Sequence, residues 1–491
     1  MMRGGARRTT RQPLRGAIAG AVIAMAVSAI GGAGILGAGF AGATLVAAAV
    51  VDAAGASTAS AGTDPATREF QEDYERVPMP PGFEVVVSEF EGPVFADQHG
   101  RTLYDWPTHQ LRNGPAGELK GKPNCDDTHY TKTAGLMSPY PPGLLLPEPE
   151  KRPTCAELWP PVIAPEGAQE IGKWSVVKRK DGRNQWAYDG FALYTSALDH
   201  QEGDVNGGTK RKTHGDSPAD REPVAPPPLL PPQFRIAEQT TGRLLVTSQG
   251  ASVYALADER PDKILCDTEC SRAWTPVLAP ALSRPQGAFT VFERLPGIKQ
   301  WAFHGEPLYT RVGEERQHSL EGADAPGWHN VYTQKAPPPP ADFTVQESPG
   351  GLVLADSRGR TVYIYHCGDD ALDQLACDYP DASQVYRFAV CGGGDPARCL
   401  QTFPYVLATP GVKSTSRLWS VLTIDPRTGH TAAPGQADAL HVWAFRQRPV
   451  FTCALDAKPG DLRADGWGEF NGYRNGFKAF WLRDDFTDNA G

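Results

Sequence analysis

Gln185-Trp186-Ala187-Tyr188-Asp189-Gly190-Phe191-Ala192-Leu193-Tyr194 is the stretch that decides the fold. Asp-Gly between two aromatic-rich runs is a strong two-residue hairpin signal, because both positions tolerate φ above zero. The same run returns as Gln300-Trp301-Ala302-Phe303-His304-Gly305-Glu306-Pro307-Leu308-Tyr309. Upstream, Gly100-Arg101-Thr102-Leu103-Tyr104 echoes the Gly190 to Tyr194 element, Tyr254 echoes Tyr309, and Tyr363 is echoed by Phe451. Three units follow, each with two similar halves. They open at Pro80-Pro81-Gly82-Phe83, Pro231-Pro232-Gln233-Phe234 and Pro339-Pro340-Ala341-Asp342-Phe343.

Short β-rich runs punctuated by Gly, Asp and Asn predict antiparallel meanders and no long amphipathic helix after residue 61. The fold class expected is all-β, as three tandem antiparallel β repeat modules. A single six-bladed propeller-like ring is the alternative that six half-repeats also satisfy. The expected order is an export signal or membrane anchor over 1–61, a tether over 62–79, and repeat unit 1 with long insertions over 80–222. A Pro-rich linker (223–232), unit 2 (233–336), a second Pro-rich linker (337–340) and unit 3 (341–491) complete the chain. Because each unit carries its own Cys pair and aromatic half-motifs, the modules are expected to be separate or loosely associated.

Five residues beyond each half-motif aromatic stands an acid: Asp199, Glu259, Glu314 and Asp456, with His109 and Gly368 in the other two slots. This Tyr-x4-acid element, Cys266-Asp267-Thr268-Glu269-Cys270 before Trp274-Thr275-Pro276, and the Gln-Trp-Ala-aromatic run before a Gly together resemble the secreted lipoprotein-repeat family. The resemblance runs from Phe83 to about Phe486 and rests on several motifs in a fixed order. It implies a bacterial, exported protein with no settled activity. Some members are loosely linked with alkane breakdown, which nothing in these residues explains. The chain departs from a lipoprotein in having no cysteine before Cys125, so lipid anchoring is not expected.

At 491 residues the chain is long enough for about three domains, in agreement with the repeat count. No charged residue lies between Arg15 and Asp52, while Arg3, Arg7, Arg8, Arg11 and Arg15 precede the stretch without an acid, which reads as an export signal. Cleavage after Ala59-Ser60-Ala61 would release a chain starting at Gly62, and an uncleaved segment would anchor the protein with its N-terminus inside. Export to the periplasm or the exterior follows, with membrane contact only through this segment. The chain from Gly62 keeps 43 basic and 56 acidic residues, a formal charge of −13, which repels phosphate backbones and disfavours nucleic acid as a partner.

Nine cysteines in an exported chain read first as disulfides. Cys125 with Cys155, Cys266 with Cys270 and Cys391 with Cys399 are the natural pairs, since each set precedes the Trp-Pro-Pro, Trp-Thr-Pro or Phe-Pro-Tyr element of its unit. Cys367 and Cys453 would meet if the halves of unit 3 pack as pseudo-symmetric strands, leaving Cys377 as the free thiol.

The recurring Tyr104, Tyr194, Tyr254, Tyr309 and Tyr363 read as core aromatics, each with one polar tip, and the acids, Asp456 among them, as caps for turn amides. The competing site is a calcium loop, because Asp199, Glu202, Asp204 and Asn206 crowd a Gly-containing segment and hard cations want several oxygens. Its spacing is not that of an EF-hand, and no transition-metal site, haem motif or other cofactor motif is present. His109 and His129 flank the unit-1 insertion and are the one place where an enzyme site would be assembled. No Gly-x-Ser-x-Gly, Ser-x-x-Lys or Cys-His signature accompanies them. The expected function is therefore a non-enzymatic envelope binding or scaffold protein with a protein partner or surface ligand. A calcium, carbohydrate or hydrocarbon binder is the alternative, and an enzyme the second alternative.

Overall fold

The computed structural model describes residues 72–111, 114–127, 143, 145, 153–208, 221–366, 379–382, 384–468 and 476–484. Residues 1–71 lie outside these, so the signal or anchor expectation for 1–61 falls there. No helix among the described residues is long and apolar enough to cross a membrane. Everything below belongs to Thr63–Gly491.

The fold is all-β, and every strand pair in the described sheets is antiparallel. Each half-repeat opens with a hairpin. In unit 1 these are Phe83–Val87 with Pro93–Asp97 and Trp174–Lys178 with Asn184–Tyr188. In unit 2 they are Phe234–Gln239 with Gly242–Thr247 and Phe289–Leu295 with Ile298–Phe303. Unit 3 uses Phe343–Ser348 with Gly351–Asp356 and Trp419–Ile424 with Leu440–Phe445. The second-half hairpins then turn tightly into the next strand through residues with positive φ: Asp189 (48°) and Gly190 (85°), His304 (49°) and Gly305 (80°), Arg446 (48°) and Gln447 (65°). That left-handed pair is the signature of the two-residue turn read from Asp-Gly. Unit 3 makes it without glycine, at a backbone cost of order 1–3 kcal/mol per residue.

The two halves of a unit are interlaced. In unit 1, Phe95, Leu103 and Val224 close a ring of backbone bonds, Phe95 N–H to Val224 O, Val224 N–H to Leu103 O and Leu103 N–H to Phe95 O, each 2.8 Å. Trp186, Val162 and Leu193 close the corresponding ring in the second half, at 2.8, 3.0 and 2.9 Å. Thus the strand that follows the first half docks on the second, and the strand that follows the second returns to the first. Unit 2 repeats both rings with Leu245, Val253 and Val331, and with Val277, Trp301 and Leu308; unit 3 repeats the first with Leu354, Val362 and Phe480. Tyr104 and Tyr194 exchange both backbone bonds at 2.8 and 2.9 Å, which places the pseudo-twofold axis between them. Tyr254 faces Tyr309 and Tyr363 faces Phe451 in the same way.

The rings fix equivalent positions, and one of them carries a stacked pair in every unit. Trp274 stacks on Trp328 at 3.7 Å and 11°, Phe403 on Phe477 at 3.7 Å and 4°, and the Arg221 guanidinium lies 4.7 Å over the Trp159 ring. A flat cation in unit 1 replaces a flat ring in units 2 and 3, and both fill the slot by stacking.

The units dock on one another instead of hanging loosely from proline spacers, which corrects the expectation of loose association. Phe90 and Val205 of unit 1 are buried in a core with Phe343, Trp419, Trp443 and Phe445 of unit 3. Residues 72–79, from the segment read as a tether, run along the proline joint: Glu75 N–H reaches Pro227 O and Leu229 N–H reaches Asp73 O, both at 2.8 Å. Glu72 is buried, and its carboxylate accepts from Arg243 Nε at 2.6 Å and Nη2 at 3.1 Å and from the Thr333 hydroxyl at 2.9 Å.

Candidate functional site

The five repeat tyrosines have no exposed surface, so each phenol must find an acceptor inside the protein. The acceptors are the acids of the other half. Tyr104 Oη donates to Asp199 Oδ2 at 2.7 Å, Tyr254 to Glu314 Oε1 at 2.7 Å, Tyr309 to Glu259 Oε1 at 3.0 Å and Tyr363 to Asp456 Oδ2 at 2.8 Å. Each acid, set five residues after one aromatic, thus locks the tyrosine across the pseudo-dyad.

Tyr194 completes the set by donating to Glu118 Oε1 at 2.8 Å, so the fifth acid is Glu118 and the His109 slot is a false register. The hairpin His109–Leu111 with Gly114–Ala116 is inserted ahead of the acid. Glu118 Oε1 also accepts from the amides of Asn124 and Cys125, as Glu259 Oε1 accepts from Leu265 and Cys266. A Glu-x6-Cys spacing shared by the two units was the signal that would have identified Glu118.

Burial raises the pKa of all five phenols, first in each case, with a neighbouring carboxylate adding to it for every one of them; Tyr309 reaches about 12. The phenols therefore stay protonated and act as hydrogen-bond donors. Burial also pushes Asp199 up to about 7 and raises Glu314 and Asp456. A brace that sequence reasoning missed ties the disulfide loops of units 1 and 2 to their second-half sheets. Arg179 Nη1 donates to Gln185 Oε1 at 2.7 Å and Nη2 to Cys125 O at 3.1 Å, while Gln185 Nε2 donates to Leu193 O at 2.7 Å. Arg294, Gln300, Cys266 and Leu308 repeat it in unit 2.

The loop from Asp199 to Asn206 directs its oxygens inward. Asp199 Oδ1 accepts from the Asn206 amide at 2.8 Å, Asp204 Oδ2 from His200 and Gln201 amides at 3.0 and 2.9 Å, and Asn206 Nδ2 donates to Leu198 O at 3.2 Å. Glu202 is exposed. Unit 3 builds the same loop: Asp456 Oδ1 accepts from Arg463 N–H at 3.0 Å, and Asp461 Oδ2 from Ala457 and Lys458 at 2.9 and 3.2 Å.

The backbone oxygens that a cation would want are held by guanidinium groups of unit 3. Arg446 donates to Val205 O with Nε at 3.0 Å, Arg448 Nη1 to Asn206 O at 2.9 Å, and Arg417 to Glu202 O. Arg417 Nη1 also lies 3.5 Å from Asp204, and Arg446 pairs with buried Glu91 at 3.2 Å. The loop is an inter-unit clamp, and its contacts hold the strained Arg446-Gln447 turn in place. Among the described residues no group of three or more His, Cys, Asp or Glu is arranged to hold a metal ion.

Cys125–Cys155, Cys266–Cys270 and Cys391–Cys399 are bonded, with Cα separations of 5.2, 5.1 and 4.8 Å. Cys453 is a buried free thiol, so the pairing of Cys367 with Cys453 is corrected; Cys367 and Cys377 lie outside the described residues. The halves of unit 3 do pack about a pseudo-dyad, but Cys453 sits under its own loop, where Leu455 N–H reaches its sulfur at 3.4 Å. His129 and most of the unit-1 insertions also fall outside the described residues.

No curated protein and no solved structure matches the chain significantly. Residues 175–211 match a family model described as a secreted repeat of unknown function. That segment covers the second-half hairpin from Ser175 on, Tyr194 and the Asp199 loop, and over it the chain is similar to the repeat of that family.

Proposed function

We propose that this protein is a non-catalytic envelope scaffold that binds another protein in the periplasm or at the cell surface. Any membrane contact is made through the N-terminal segment, and no nucleic acid or cofactor takes part. One repeated surface feature carries the proposal. The strand that docks on the second-half hairpin exposes an aliphatic side chain at the same register position in every unit. Ile163, opposite Gln185, is 41% exposed; Leu278, opposite Gln300, 54%; Leu407, opposite Val442, 58%.

Single exposed aliphatics need no explanation, but the same one in three docked units gives a partner three spaced apolar contacts. The repeat's phenols and carboxylates support the same view, because their hydrogen bonds are spent inside the fold.

The test is a photo-crosslinking amino acid placed at 163, 278 or 407 of the full-length chain in its native cells, with adducts identified by mass spectrometry. The proposal expects one dominant protein partner from at least two of the three positions. Recovery of uncross-linked monomer alone from all three would refute it.

A further inference from the structure

We propose that the junction of the three units is a binding site for one compact apolar molecule about the size of a single six-membered ring. The cavity there is about 120 Å³. Its walls come from every unit. Phe90 is from unit 1; Leu418, Trp419, Phe445, Phe480 and Leu482 are from unit 3; the Thr240-Thr241 turn and Ala336 with the Pro337–Pro339 joint are from unit 2. No charged side chain is among the described residues that line it.

Protein interiors leave few voids larger than a water molecule, since side chains interdigitate wherever they are free to move. Here they are braced against collapse. Phe445 lies 5.1 Å from Trp419, 5.0 Å from Phe480 and 6.2 Å from Phe90, and Trp419 lies 5.5 Å from Phe480. The rings buttress one another and keep the space open.

The chemistry of the lining selects the occupant. Water in a cavity needs two to four polar partners. The Thr241 hydroxyl is already paired with Tyr332 Oη at 3.0 Å, and the Arg446 guanidinium faces the Phe90 ring at 5.6 Å while pairing with Glu91. An aromatic-walled pocket of this size, with no charged side chain among its described lining residues, takes a benzene-sized molecule, as an apolar cavity of roughly 150 Å³ does. An occupant would touch all three units at once, so its binding favours their docked arrangement. This inference does not depend on the protein-partner proposal, which concerns the outer strands.

The experiment uses the full-length chain with its disulfides intact. Crystals exposed to xenon gas, and thermal melting in buffer with graded benzene, give location and binding separately. Xenon is expected in the junction, with a dose-dependent upward melting shift in benzene. Ala336→Leu fills the space from unit 2 and is expected to abolish both; Leu482→Phe fills it from unit 3 and guards against misfolding of the first variant. The proposal fails if xenon is absent from the junction of the unmodified chain. It fails equally if folded filled variants keep the full benzene shift, because the molecule would then sit elsewhere.

Discussion

Replacing Asp199 with Asn separates the hydrogen bonding of a lock from its charge. The Asp199 carboxyl is buried, accepts from the Tyr104 phenol at 2.7 Å and from the Asn206 amide at 2.8 Å, and has its pKa pushed up to about 7. Burial is the leading cause. The Tyr104 and Asn206 bonds and Arg446 act in the opposite direction, and Asp204 adds a smaller upward push. In an unfolded chain the same carboxyl titrates near 3.9. The folded protein therefore keeps a proton that the unfolded chain releases between about pH 4 and pH 7. Stability from this group is fully present below about pH 4 and is lost as pH rises through 7, at about 1.4 kcal/mol per pH unit and on the order of 4 kcal/mol in all. Asn keeps the shape and cannot titrate. The stability of wild type minus that of Asp199→Asn should fall by that amount between pH 4 and pH 8, as read from urea unfolding followed by tryptophan fluorescence with disulfides intact. Asp105, which burial also raises to about 7, is present in both proteins and cancels in the difference. Parallel pH profiles would refute the reasoning, as would a carbon-13 titration of the Asp199 carboxyl centred near 4.

Arg446→Met leaves Glu91 buried without its 3.2 Å partner and should cost about 3–5 kcal/mol, most of which Glu91→Gln in the same chain restores. A double-mutant cycle from denaturant midpoints checks this, and simple additivity would count against the clamp. Cys125→Ala with Cys155→Ala opens a bridge spanning 30 residues and should cost about 3–4 kcal/mol, whereas Cys266→Ala with Cys270→Ala, spanning 4, should cost about 2 kcal/mol. Calorimetry of both pairs decides whether that order holds. Cys453 is buried, and burial raises its thiol pKa, so its peptide should stay unmodified by maleimide in native protein and become fully modified in denaturant.

The fold was legible because its signals are local. Asp189-Gly190 and His304-Gly305 have the left-handed φ values that the turn requires, and the aromatic before each acid could be counted from one unit to the next. The partner of each acid was not legible, because it lies across a pseudo-dyad that only the interlaced strands create. Tyr104 and Asp199 are 95 positions apart, Tyr363 and Asp456 93. Spacing alone suggested a calcium loop at 199–206, since it shows carboxylates and glycines but not the guanidinium groups that arrive from residues 417–448. Docking of the units was hidden for a similar reason. Phe90 and Glu91 sit in a hairpin turn with no periodicity, and nothing in that turn announces that a ring and a carboxylate will be buried against unit 3.

Unit 3 departs from the lock at its second aromatic. That aromatic is Phe451, which has no hydroxyl to donate. A phenol at this buried position would need an acceptor, and lacking one would cost about 1–3 kcal/mol. The Arg387 guanidinium lies 5.0 Å over the Phe451 ring, so a cation faces the ring that elsewhere carries a donor. The stacking slot changes as a pair, with Arg on Trp, Trp on Trp and Phe on Phe in successive units. Paired groups that change together keep the frame constant, which makes the phenols and acids the architecture of the repeat. The surfaces proposed for recognition are the ones this frame leaves unspent: the exposed aliphatics at 163, 278 and 407 and the aromatic junction that all three units enclose.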